Sequence, residues 1–156
     1  MEKITYKKLE EVNFLFQNVF LRQHDIKNPT TNKFTWALFK LSEELKINIE
    51  IFNKKRSEIF IKYASVDAND NIQYEDLEKG ICKFTKEKSR ERDAEFEILL
   101  SQEIDFQGYI YQNNNYIKEN YGFLIPKFNK LLFDISDEDF SEPENDIVEE
   151  SSTVSE

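Results

Sequence analysis

A chain of 156 residues has material for one domain with a real core and too little for two ordinary ones. Its 14 Phe and 7 Tyr supply large apolar side chains, so folding does not call on disulfides, which the lone Cys82 cannot form within the chain. The net charge of −10 sits at one end: residues 134–156 hold ten acids and no Lys or Arg, while residues 1–133 hold as many acids as bases, so the totals give no argument for nucleic-acid binding, which needs a basic face, and favour no local basic patch.

Glu2, Glu10 and Glu11 interrupt the opening stretch, unlike a secretory signal, and no run of about 18 apolar residues offers a membrane span, so a soluble protein is expected. Thr5 can cap a first helix, whose Leu9, Val12, Phe16, Val19 and Phe20 recur at three and four, with Phe14 and Leu15 widening the stripe. Pro29, within Asn28-Pro29-Thr30-Thr31-Asn32, breaks the pattern and makes a loop. The only His, His24, falls there with no second His or Cys beside it and reads as a solvated loop residue.

From Phe34 to Tyr63 the pattern is helical without Gly or Pro. Phe34, Leu38, Leu41, Leu45, Ile49, Phe52, Ile59 and Tyr63 share one stripe, and Lys40, Glu43, Glu44, Lys54, Lys55 and Lys62 fall off it. Trp36 is expected to widen the apolar face. Val66 to Asn71 then supplies turn chemistry, and Ile72-Gln73-Tyr74 with Ile81-Cys82-Lys83-Phe84 makes a small hairpin. Asp67, Asn69, Asn71, Glu75 and Glu78 match the ligand positions of a twelve-residue calcium loop. Ile72 occupies the place where that loop needs Gly for its sharp turn, so the segment reads as a turn entering a strand and no metal is expected.

Thr85 caps a charged helix from Lys86 to about Ser101, with Phe96, Leu99 and Leu100 on its apolar side and its first turns at the surface. Glu103-Ile104-Asp105-Phe106 alternates as a strand does, and Gly108 ends it. Tyr109, Tyr111, Tyr116 and Tyr121 stand in a polar stretch without a clear period, read as a loop and rich in residues that protein interfaces favour. Leu124 to Phe133 is helical again, with Pro126 in its first turn. Residues 134–156 form an acidic tail expected to be disordered alone, with Phe140, Ile147 and Val148 as apolar anchors for a partner.

Carboxylate pairs such as Glu10/Glu11, Glu43/Glu44 and Glu95/Glu97 read as solvated helix faces, Cys82 reads as a structural thiol, and no phosphate loop, GxSxG, CxxC or HExxH occurs. No catalytic residue or cofactor is therefore expected. The sequence predicts a mainly α protein: a long antiparallel helical hairpin with a small β-hairpin at its tip, packed by the N- and C-terminal helices, in a single domain of residues 1–133 followed by the tail 134–156.

This order of parts resembles a group of small helical proteins, of no assigned activity, encoded by tailed phages and prophages. The similar features are Lys33-Phe34-Thr35-Trp36-Ala37-Leu38, Ile61-Lys62-Tyr63 before an Asp/Asn turn, Glu95-Phe96-Glu97 with Leu99-Leu100, and Glu103-Ile104-Asp105, within residues 5–106. The chain has Asp70-Asn71 where such proteins carry Gly, and its tyrosine-rich stretch and acidic tail depart from the pattern. The resemblance implies a protein of the virion or the host cytoplasm and no residues of assigned role. The expected function is a non-enzymatic interaction protein, a virion or assembly component or an accessory protein, with another protein as partner and neither nucleic acid nor membrane. The alternative is an acidic charge mimic that inhibits a nucleic-acid-binding partner.

Overall fold

The structure is a computed structural model and describes residues 1–21 and 33–132. It is mainly helical. In chain order the elements are β1 (Glu2–Thr5), α1 (Tyr6–Leu15), a π-turn (Phe16–Phe20), α2 (Lys33–Tyr63), β2 (Tyr74–Asp76), β3 (Ile81–Cys82), α3 (Lys86–Ser101), β4 (Glu103–Phe106), α4 (Asn114–Tyr121), a 3₁₀ turn (Gly122–Leu124) and α5 (Ile125–Phe128). The described residues cluster into two compact units, one of residues 1–2, 12–21, 33–44 and 105–132, the other of residues 3–11 and 45–104.

In the second unit, strand β1 pairs with β4, a contact across the sequence that a local reading does not anticipate. Thr5 Oγ1 accepts the N–H of Lys8 at 3.1 Å, and the Tyr6 N–H donates to the Gln102 carbonyl at 3.1 Å. The core here is Ile4, Tyr6, Leu9, Leu45, Phe52 and Leu99. Phe52 lies between the rings of Tyr6 (5.1 Å) and Phe96 (6.2 Å), and Phe60 meets Phe84 and Phe96, each at 6.0 Å.

The turn after α2 is built on Asp67, whose Oδ1 accepts from the N–H of Asn69 (2.8 Å) and of Asn71 (3.0 Å), while Asp70 takes a left-handed φ of 60°. One oxygen of the side chain at the first calcium-ligand position is thus engaged by its own backbone. Strands β2 and β3 pair antiparallel, Tyr74 with Cys82, with a shift in register before Asp76. Beside them Ser65, Gln73 and Lys83 close a ring of backbone hydrogen bonds, and Ile72 bridges Val66, so the hairpin lies two residues later in its first strand than Ile72–Tyr74. Cys82 is half-buried rather than enclosed.

Thr85 caps α3 as its sequence predicts, its Oγ1 accepting from the Lys88 N–H at 3.1 Å. The charged first turns of α3 pack on aromatics: the Arg92 guanidinium sits 4.4 Å from the Phe84 ring centre and 5.2 Å from that of Phe60.

In the other unit, Val12, Phe16 and Phe20 are buried with Phe34, Leu38, Leu41, Phe106, Ile117, Tyr121, Leu124, Phe128, Leu131 and Leu132. Phe20 is the hub, with Phe16, Phe34, Tyr121 and Phe128 around it at ring distances of 5.0–6.1 Å. The π-turn is closed by the Leu21 N–H donating to the Phe16 carbonyl, a five-residue step.

Four expectations are corrected. Phe14 is 67% exposed and does not widen the first stripe, because it lies between the inward positions Val12 and Phe16. Trp36, two residues from both Phe34 and Leu38, points away from the α2 stripe and is 48% exposed. The stretch read as a loop becomes helix α4 from Asn114, since Ile117, Tyr121 and Leu124, at spacings of four and three, all reach the core. The helix expected over Leu124–Phe133 begins as a 3₁₀ turn and stops at Phe128, where Asn129 turns extended and Lys130 takes a φ of 66°. The loop around His24, Phe133 and the tail 134–156 lie outside the described residues.

Candidate interaction surface

The surface is built where the first turn of α2 meets the segment between β4 and α4. Gly108 makes this approach possible: a Cβ there would stand 2.5 Å from the Lys130 carbonyl oxygen and 3.0 Å from Leu131 Cα. Past that point the Tyr109 N–H donates to the Leu131 carbonyl and the Tyr111 N–H to the Leu132 carbonyl, both at 2.8 Å. The alternation of this extended run lays the Tyr111 ring 4.9 Å from Phe34 and leaves Ile110 39% exposed.

Between the run and α2 lies a recess of about 640 Å³ lined by Lys33, Trp36, Ala37 and residues 109–113. The Trp36 indole stacks on Phe39 with centroids 5.7 Å apart, and the Lys40 ammonium stands 5.0 Å from the indole centre while pairing with Glu43 at 3.7 Å. The wall is thus an aromatic platform of Trp36 backed by Phe39, and the charged residue lining the recess is Lys33. The Gln107 N–H, donating to Glu44 at 3.3 Å, ties the start of the run to α2.

Comparison with protein-family models, curated proteins and solved structures found no match.

Of the residues singled out from sequence, Tyr109 and Tyr111 line the recess, both half-buried. Tyr116 falls within α4. Tyr121 is 4% exposed, its ring 5.0 Å from Phe20 and 5.6 Å from Phe34, so as a contact residue it is corrected: it holds the core. Phe140, Ile147 and Val148 lie outside the described residues. Sequence reasoning missed Lys33, Trp36 and Ile110. The signal for Trp36 was its offset of about 200° from Phe34 along the helix.

A second recess, of about 400 Å³, opens between α2 and α3 in the other unit, floored by Ile59, Ile98 and Leu99. At its edge Lys62 pairs with Glu95 at 3.1 Å. The Tyr63 hydroxyl and then the Lys62 ammonium hold the Glu95 carboxyl below its ordinary range, while Glu95 pushes both Lys62 and Tyr63 up. A carboxylate held ionised in this way is a poor proton acceptor and a good strut. Among the described residues no cluster of His, Cys, Asp and Glu could hold a metal ion, and no helix is long and apolar enough to cross a membrane.

Proposed function

We propose that this is a non-enzymatic protein-interaction protein that takes an apolar side chain of another protein into the recess between Trp36 and Tyr109–Asn113. The observation that carries the reading is the row of Trp36, Ile110 and Tyr111 at one open recess, area of the kind that protein interfaces bury. The scaffold of the reading is an antiparallel hairpin of α2 and α3 with β2 and β3 at its tip, packed by the terminal helices; the Phe52–Phe96 and Phe60–Phe96 ring contacts support it. In keeping with its resemblance to phage-encoded helical proteins, its setting is a virion or its assembly, or an accessory role in the host cytoplasm.

The second reading is the charge mimic, favoured by the ten acids of residues 134–156. Affinity purification from the source separates the two. Under the first, a partner captured by the full chain survives high salt and is lost with Ile110→Asp at unchanged melting temperature. Under the second, capture falls steeply with salt and is lost with a chain ending at Phe133. A partner held equally by the wild type and both variants would overturn both.

A further inference from the structure

Helix α2 carries a second apolar line opposite its core face. At 100° per residue, the buried Phe34, Leu38, Leu41, Leu45 and Phe52 centre on one side, and the exposed Trp36, Ile47, Ile51 and Ile61 centre about 150° away. Ile47 is 55% exposed, Ile51 45% and Ile61 55%, on a helix whose apolar residues otherwise turn inward. Interleaved on that outer side are charges of both signs: Lys40, Glu43, Lys54 and Glu58.

We propose that two copies of this chain pair antiparallel along this face of α2, about a two-fold axis level with Ile49. In that register Ile47 of one copy packs on Ile51 of the other, and each pair occurs twice by symmetry. Lys40 then faces Glu58 of the second copy across the seam, and Glu43 and Lys54 meet on one flank. Ile61 falls level with Trp36. The charge pattern selects this arrangement. Parallel pairing sets Lys40 against Lys40 and Glu58 against Glu58, and sliding the antiparallel pair by one heptad sets Ile47 against Glu58 and Ile51 against Lys54. The existing Lys40–Glu43 pair, 3.7 Å long and exposed, exchanges at little cost.

The test is sedimentation equilibrium of the full chain across the micromolar range, with circular dichroism melting to confirm folding. The wild type is expected to be dimeric and Ile51→Glu monomeric but still cooperatively folded, since Ile51 is exposed in the single chain. Glu58→Lys should weaken association about tenfold through like charges at two symmetric contacts. The double exchange Lys40→Glu with Glu58→Lys should restore it. A wild type that stays monomeric, a dimer indifferent to Ile51→Glu, or a double exchange that recovers nothing overturns the proposal. Ile110→Asp leaves this face intact and should leave the dimer unchanged, so loss of the recess reading and loss of the dimer are told apart.

Discussion

Phe52→Ala probes the joint on which one unit depends. The side chain is 1% exposed, with Tyr6 from α1 at 5.1 Å on one side and Phe96 from α3 at 6.2 Å on the other. Truncation removes the transfer free energy of a buried aromatic, opens a cavity that three elements close only in part, and deletes two ring contacts. Phe→Ala at such sites costs about 3–5 kcal/mol, and each aromatic pair accounts for about 0.5–1.5 kcal/mol of that kind of loss. Against a total stability of about 5–15 kcal/mol this is a large share, and a fall in melting temperature on the order of 10 °C accompanies it. Urea denaturation followed by far-ultraviolet circular dichroism measures it, with Phe14→Ala as control, expected within about 0.5 kcal/mol because Phe14 is 67% exposed. A loss below about 1 kcal/mol for Phe52→Ala would show that Tyr6, Phe52 and Phe96 do not share a closed core.

Thr85→Ala should cost about 1 kcal/mol in the same assay, because the Lys88 N–H loses its acceptor at the start of α3; no change would mean that the cap is not formed. Gly108→Ala should destabilise by about 1–3 kcal/mol, since its Cβ meets backbone that cannot swing away. Gly122→Ala, with nothing within 4 Å and no left-handed φ, should be neutral or stabilise by about 0.4–1 kcal/mol; the reverse order would refute the geometry of the Tyr109–Leu131 crossing. In an NMR titration the Glu95 carboxyl should titrate below the ordinary glutamate range, and Tyr63→Phe and Lys62→Ala should each raise it. The sign of the linkage follows: a depressed carboxyl contributes stability above its ordinary range that is lost as pH falls through its folded value, whereas the raised Lys62 and Tyr63 contribute stability below their ordinary ranges that is lost as pH climbs through their folded values.

Local signals carried most of what was legible. The α2 stripe from Phe34 to Phe52, the Thr85 cap and the alternation of β4 are each written in a few neighbouring residues, and each is found. Strand β1 was not legible, because four residues become a strand only through pairing with β4 a hundred positions away. Helix α4 was obscured by its Asn residues, poor helix formers whose propensity is outweighed by burial of Ile117 and Tyr121. The same burial explains why the tyrosine-rich stretch divides: Tyr109 and Tyr111 reach an open recess and Tyr121 does not. Trp36 was misplaced by treating an apolar residue near the stripe as part of it.

The π-turn at Phe16–Phe20 gives the chain an unusual tolerance. Its five-residue step from Phe16 to Leu21 stores one residue more than a regular helix uses. Removing Gln17, which is exposed, leaves an ordinary helical turn in which the two phenylalanines, four apart in the chain, become three apart and still face inward, whereas removing Glu10 from the regular turns of α1 would rotate Leu9 and Val12 off their common side. The phenylalanine hub is therefore mounted on the one stretch of the N-terminal helix where a codon can be lost without changing which side chains face the core.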